Sequence, residues 1–220
     1  MILKSHKKTA IILIWLSEKI AFPSYENATK NGVLALGGDL SEKRLIHAYK
    51  NGIFPWFSEG EPIVWYCPAE RMVLYPEELK VSKSMRQVLK KNTYLISENT
   101  AFEEVIFNCK NIERNDGLGT WITNEMEQAY LKLHNMGIAK SIEVWQGDEL
   151  VGGLYGVEVG SVFCGESMFS KISNASKLAF IHLVRKGGYK LIDCQVHNAH
   201  LESLGAREIS RNQFLQLLKS

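Results

Sequence analysis

Residues 141 to 165 carry the pattern that most restricts the fold. Ser141 to Gln146, Glu149 to Glu158 and Ser161 to Gly165 follow a period of two and are joined by turns containing Gly147 and Gly160. Side chains on a strand alternate between faces, so three such runs separated by tight turns read as an antiparallel meander. The flanks are helical. Residues 82–91 form a helix capped by Ser82 or Ser84, a second helix spans Phe102 to Cys109, and a longer one runs from Asn124 to Asn135 and closes at Gly137. Beyond the meander, Asn174 is expected to cap a helix that runs to Arg185 and stops at Gly187-Gly188. A strand at Lys190 to Val196 and two short helical pieces finish the chain. This order predicts an α+β domain on one mixed sheet.

The first third reads differently. Residues 20–70 are rich in turns and aromatics, punctuated by Asn31-Gly32, Gly37-Gly38-Asp39 and Asn51-Gly52. Between them a short helix from Ser41 to Tyr49 puts Leu45, Ile46 and Tyr49 on one face, and Val64-Trp65-Tyr66 reads as a strand. The expectation is a small N-terminal α/β domain over residues 1–70, followed by a larger domain over 71–220. Lys4, Lys7 and Lys8 precede the apolar run Ala10 to Leu16, which is too short to span a bilayer and lacks a small-residue cleavage site. It reads as a first strand packed on the core. The four cysteines are scattered with no C-x-x-C pair, as in a reduced, cytoplasmic chain.

Several runs carry chemistry. In Asp193-Cys194-Gln195, strand alternation places Asp193 and Gln195 on one face and turns Cys194 away. An acid and an amide side by side at a strand end can grip an amine; a satisfied polar pair is the other reading. Cys194 has no local feature that would lower its pKa and reads as an inert core cysteine. Glu166, in Gly165-Glu166-Ser167-Met168-Phe169-Ser170, follows a glycine that permits irregular backbone where the third strand ends. A carboxylate in this apolar neighbourhood needs a partner, either a cationic substrate or an Arg or Lys of the same chain. Trp56 and Trp121 stand in or beside loops, where an aromatic can stack on an unpaired base. Trp121 follows Gly117-Leu118-Gly119-Thr120. Lys83, Arg86, Lys90 and Lys91 recur at helical spacing, with no acid from Lys80 to Lys91. That face is either solvated or meets an anion such as phosphate. With a net charge of +2, a nucleic-acid partner would have to be met by such local clustering. No phosphate-binding loop, dinucleotide fingerprint, metal-ligand spacing or G-x-S-x-G elbow is present.

Taken in order, Leu34-Ala35-Leu36-Gly37-Gly38-Asp39-Leu40, Gly52-Ile53-Phe54-Pro55-Trp56-Phe57, Thr120-Trp121-Ile122-Thr123, Gly152-Gly153-Leu154-Tyr155-Gly156, Phe163 to Ser170, and Asp193-Cys194-Gln195 through Leu204-Gly205-Ala206 resemble the leucyl/phenylalanyl-tRNA–protein transferases. The resemblance covers about Phe22 to the C-terminus. It implies a small N-terminal domain and a GNAT-like domain whose mixed sheet is flanked by helices, although the GNAT cofactor loop for CoA is absent. It implies an aminoacyltransferase that works without metal or coenzyme in the cytoplasm. Leu or Phe, and less well Met, would move from aminoacyl-tRNA to acceptor proteins with N-terminal Lys or Arg, creating an N-degron. By motif, Asp193 and Gln195 are the catalytic pair with Glu166 beside them, Gln195 aiming the amine and Asp193 fixing Gln195. Trp56 and Trp121 hold the terminal adenosine with Tyr130 nearby, and Leu154, Phe163 and Ile192 line the side-chain pocket. Lys83, Arg86, Lys90 and Lys91 meet the tRNA. Two positions depart from the pattern: Leu154 stands where Met is common, and Gln87 where a basic residue is expected.

Overall fold

The computed structural model of the chain describes residues 13–112 and 121–220, so Lys4, Lys7, Lys8 and the Gly117-to-Thr120 run lie outside the described residues. The first elements are Ile14–Leu16 (β1), Val33–Gly37 (β2), Glu42–Lys50 (α1), Phe54–Pro55 (β3) and Val64–Tyr66 (β4). Next come Glu70–Leu74 (β5), Lys83–Lys91 (α2), Leu95–Glu98 (β6), Phe102–Asn111 (α3) and Asn124–Asn135 (α4). The meander follows as Ala139–Gln146 (β7), Glu149–Val159 (β8) and Val162–Ser170 (β9). Ala175–Arg185 (α5), Leu191–Gln195 (β10), Ala199–Glu202 (α6), Arg207–Ser210 (β11) and Arg211–Lys219 (α7) complete the α+β chain.

The strands form a four-stranded sheet in the order β1-β2-β4-β3 and a seven-stranded sheet in the order β11-β5-β10-β9-β8-β7-β6. In the larger sheet β9 and β10 run parallel and the other pairs antiparallel. Strand β8 divides its side chains between two cores, and a bulge at Val151, left over between Leu150 facing Trp145 and Gly152 facing Val144, shifts its alternation by one residue. Leu150 and Tyr155 pack with Phe102, Val105 and Tyr130 of α3 and α4, whereas Val151 and Leu154 pack with Leu178 and Ile181 of α5. The first core continues into the smaller sheet through Leu34 and Trp65 and onto α1 through Tyr49. Gly152 lets α5 start against the sheet, since a Cβ there would lie 2.4 Å from that of Ala175.

Local signals explain much of this. Ser82, rather than Ser84, caps α2 by accepting from Met85 N–H at 3.1 Å, and Met85, Val88 and Leu89 turn inward. Asn174 does not cap α5 with its side chain; it takes the left-handed conformation at φ +71°. The Oγ of Ser170 accepts from Ser176 N–H instead, at 3.1 Å. Asn tolerates this backbone better than other non-glycine residues, so it makes the turn while a serine from the preceding strand makes the cap. Strand β5, unread in the sequence, is buried at four of its five positions. Covered on both faces, it lacks the alternation that marks a half-buried strand. Among the described residues no helix is long and apolar enough to cross a membrane.

Candidate active site

The site arises where the parallel strands part. β10 and β9 pair at Leu191↔Val162, Ile192↔Phe163 and Asp193↔Cys164, and the pairing ends there. Each strand then accommodates one extra residue against its other neighbour. On β9, Gly165 and Ser167 face Gly156 and Tyr155 of β8, leaving Glu166 as the extra residue. On β10, Asp193 and Gln195 face Val73 and Met72 of β5, leaving Cys194. The strand expected to end at Gly165 therefore continues to Ser170 through a bulge. Gly156 permits it: a Cβ there would stand 2.3 Å from the Cys164 carbonyl oxygen. A cleft of about 380 Å³ opens between the separated strands.

The bulge on β10 breaks the simple alternation read from the sequence. Gln195 sits at φ +62°, and Cys194 borders the cleft as Gln195 does. Burial, and after it the charge of Asp193, pushes the Cys194 thiol far above its usual range, which removes it as a nucleophile at neutral pH. Asp193 is fully buried and spends its carboxylate on Arg71 of β5: Nε donates to Oδ1 at 2.7 Å and Nη2 to Oδ2 at 2.6 Å. Oδ1 also accepts from the backbone N–H of Gln195 at 2.9 Å. Asp193 thus holds Gln195 by its main chain, not by its amide. The Arg71 guanidinium lies 4.6 Å from the centroids of both Phe54 and Phe214 and donates to the Gly52 carbonyl at 3.2 Å. Sequence reasoning missed Arg71. The available signal was a cation beside the apolar run Met72-Val73-Leu74, since a buried charge requires a counter-charge.

Glu166 is met by neutral donors among the described residues. Its Oε1 accepts from Gln195 Nε2 at 2.7 Å and its Oε2 from the Tyr130 hydroxyl at 2.9 Å. Tyr130 in turn is hydrogen-bonded to the hydroxyl of Tyr49 on α1. Burial raises the Glu166 pKa to about 7, with Asp193 adding to the shift and the hydrogen bonds from Tyr49, Tyr130 and Gln195 opposing it. Among the described residues, the partners this chain supplies to Glu166 are neutral donors and not an Arg or Lys. Because the Gln195 NH2 is committed to Glu166, the amide oxygen is the end left to accept a hydrogen bond from a molecule in the cleft.

Trp56, 41% exposed, and Trp121, half-buried, stand at the wall of the cleft; Leu154, Phe163 and Ile192, all buried, form its apolar floor. Met168, Phe180, Leu183 and Leu201 extend that floor and were not singled out in the sequence. Tyr130 is placed differently from expectation. It is wholly buried behind Glu166 and does not border the cleft, because its hydroxyl is drawn to the carboxylate. Lys83, Arg86, Gln87, Lys90 and Lys91 are exposed on α2, outside the cleft lining. Among the described residues no group of His, Cys, Asp and Glu is arranged to hold a metal ion.

Comparison with known proteins fits this site. The sequence model for leucyl/phenylalanyl-tRNA protein transferase matches residues 73–219, and the model for the N-terminal domain of that family matches residues 38–69. The leucyl/phenylalanyl-tRNA–protein transferase of Flavobacterium johnsoniae is 58% identical over 211 residues, which cover 94% of this chain and 100% of that one. That of Flavobacterium psychrophilum is 56% identical, with 93% of this chain and 99% of the other covered. That of Yersinia enterocolitica is 56% identical, with 92% and 86% covered. Among solved structures, FemX aligns with a TM-score of 0.48 at 12% identity, covering 81% of this chain and 71% of that chain. A matched sequence model over most of the length, and relatives this similar from end to end, lead to one conclusion: the chain belongs to the leucyl/phenylalanyl-tRNA–protein transferase family and is an aminoacyltransferase that moves an aminoacyl group from tRNA to protein.

Proposed function

We propose that the transferred group is leucine or phenylalanine, and less well methionine, that the acceptor is a protein beginning with Lys or Arg, and that the product is a cytoplasmic N-degron. The observation that carries this reading is an amide whose donor end is fixed, at the edge of a slot floored by Leu154, Phe163 and Ile192. The slot has the chemistry to bury an apolar side chain that is aromatic or aliphatic and unbranched at Cβ. Trp56 and Trp121 at the wall suit the terminal adenosine.

The reaction is aminolysis of an ester and runs downhill. An α-amine has a pKa of about 8, so an appreciable fraction is neutral near pH 7 and the enzyme chiefly has to aim it. Gln195 is the catalytic residue in this reading. Its amide oxygen accepts a hydrogen bond from the amine while nitrogen attacks the acyl carbon, the bond to the ribose oxygen breaks, and the proton that nitrogen loses passes directly or through water to that oxygen, which leaves as the ribose hydroxyl. Asp193 and Glu166 position it, one at the backbone and one at the amide. The small domain of residues 1–70 contributes Trp56, and residues 71–220 carry the transfer chemistry.

The test is transfer of radiolabelled Leu, Phe, Val, Asp and Lys from their tRNAs to an Arg-starting peptide. Leu and Phe are expected to transfer well, Val less well by about 1–3 kcal/mol per missing methylene, and Asp and Lys not measurably. Efficient transfer of Asp or Lys would rule the slot out as the side-chain pocket.

The exposed cations of α2 support a separate role in holding the tRNA body. Replacing Lys83, Lys90 and Lys91 together with Ala should weaken tRNA binding and flatten its salt dependence, since phosphate contacts are electrostatic. Transfer from aminoacyl-adenosine, which lacks the tRNA body, should be almost unchanged. Equal loss with both donors would show that α2 serves the cleft and not the phosphates.

A further inference from the structure

Strand β9 outruns its parallel partner. β10 accompanies it from Val162 to Cys164, whereas β9 continues to Ser170. Past Gln195 the chain turns toward β5, where the Asn198 N–H donates to the Met72 sulfur at 3.1 Å. The side of β9 that β10 leaves uncovered borders the cleft, with Gly165, Glu166, Ser167 and Met168 in the lining.

The pairing with β8 decides which backbone groups this edge offers. In an antiparallel pair, residues that exchange hydrogen bonds with their partner alternate with residues whose N–H and C=O point outward. The Lys171 N–H donates to the Val151 carbonyl at 2.8 Å, in the same register that sets Ser167 opposite Tyr155. Met168, three residues before Lys171 and opposite Leu154, therefore turns its N–H and C=O away from β8 and toward the vacated side. The far side of β8 agrees. There the Glu158 N–H donates to the Ile138 carbonyl at 2.9 Å, and alternation from Glu158 gives the Leu154 backbone to β7 and not to β9. Neither backbone group of Met168 has a partner among the described residues. Such an edge can take a further extended chain by main-chain hydrogen bonds.

The occupant is set by what stands where the edge begins. The bond from Gln195 to Glu166, 2.7 Å, spans the gap between β10 and β9 just beyond their last pair. An acceptor whose amine meets the Gln195 amide oxygen enters level with Glu166. Met168 lies two residues further along β9, about 7 Å, and an extended acceptor covers that distance in two residues of its own. The transferred group is one residue long and occupies the slot, so it does not supply this chain.

We infer, on the reading of Gln195 given above, that the main chain of the acceptor protein lies along β9 as an added parallel strand, on the track that β10 leaves. In parallel pairing the Met168 N–H donates to the carbonyl of the acceptor's first residue, and the Met168 carbonyl accepts from the N–H of its third. Both contacts are to main chain, so the edge holds acceptors of differing sequence beyond the first residue.

The test is single-turnover transfer at subsaturating acceptor, with Arg-Ala-Ala-Ala amide and two analogues that carry an ester in place of one amide. An ester between residues two and three removes the N–H that meets Met168 and should slow transfer roughly three- to tenfold, the scale of one hydrogen bond. An ester between residues three and four removes an N–H that points away from β9 and should cost less than about twofold. This comparison uses the parent protein. Met168→Pro deletes the other bond, and proline is tolerated where the N–H takes no part in a ladder. Met168→Leu changes the side chain and keeps the N–H. Agmatine, which is arginine without its carboxyl carbon, has no carbonyl to offer Met168. The ratio of peptide to agmatine transfer should therefore fall roughly three- to tenfold in Met168→Pro and hold in Met168→Leu, whatever either change does to the floor of the slot. Equal rates with the two esters, or a ratio that falls as far in Met168→Leu as in Met168→Pro, overturns the added strand. Near-parent turnover in Gln195→Ala would instead overturn the underlying reading of Gln195.

Discussion

Arg71→Met is expected to cost about 3–5 kcal/mol of stability, which for a chain of this length lowers the melting temperature by roughly 6–20 °C. Arg71 and Asp193 are 2% and 0% exposed. With the guanidinium gone, Asp193 keeps the Gln195 N–H as a donor but loses both charged bonds, and an uncompensated buried carboxylate is among the most damaging changes a core can suffer. The two aromatic rings that sandwich the guanidinium lose their cation as well. The companion variant Arg71→Met with Asp193→Leu should recover most of the stability, because replacing a whole buried pair with apolar groups is often neutral. A deficit of about 1–3 kcal/mol should persist, since the Gln195 N–H then lacks its acceptor. Thermal denaturation followed by circular dichroism measures both. A single variant melting within about 2 °C of the parent would mean that the pair does not hold the junction of β5 and β10.

That junction also shows where the sequence stops being legible. Helices α1 and α2 could be read because each begins at a serine that caps it and has an apolar face that repeats with the helical period. The meander could be read because β7 and β8 are joined by a tight turn at Gly147, and β8 and β9 by one at Gly160. The bulges could not. The one at Glu166 depends on Gly156 across the sheet, and the one at Cys194 on β5, more than 100 positions earlier in the chain. Alternation therefore fails at Cys194, which borders the cleft together with Asp193 and Gln195 instead of turning away from them. The chain of contacts from Tyr49 through Tyr130 and Glu166 to Gln195 joins four elements distant in sequence. No spacing rule could have found it. Trp56, Trp121, Leu154, Phe163 and Ile192 were reached by the resemblance of ordered motifs, since an aromatic on a loop or an apolar strand position is common in any chain.

Gln195→Gly is expected to leave stability near that of the parent and to cut transfer by about a hundredfold or more, the scale of losing an aligning contact at the reacting centre. Gln195 adopts φ +62°. For a residue with a Cβ this conformation costs roughly 1–2 kcal/mol, whereas glycine adopts it freely at an entropic cost of about 0.5–1 kcal/mol. The glycine variant also loses the bond to Glu166, a net contribution of about 0.5–1.5 kcal/mol, so gain and loss nearly cancel. Gln195→Ala keeps the backbone strain and loses the same bond, and it should be the less stable of the two by up to about 1 kcal/mol. If the amide's sole task is to aim the amine, the two variants should be equally impaired in single-turnover transfer at saturating aminoacyl-tRNA, with donor affinity unchanged in both. Strain retained at a residue whose side chain reaches into the cleft is then a cost carried for function. Urea denaturation and single-turnover transfer, measured on the same preparations, give the comparison. Turnover that tracks stability across the parent, Ala and Gly forms would show that Gln195 matters through folding alone. Turnover near the parent's in both variants would show that some other group aligns the nucleophile.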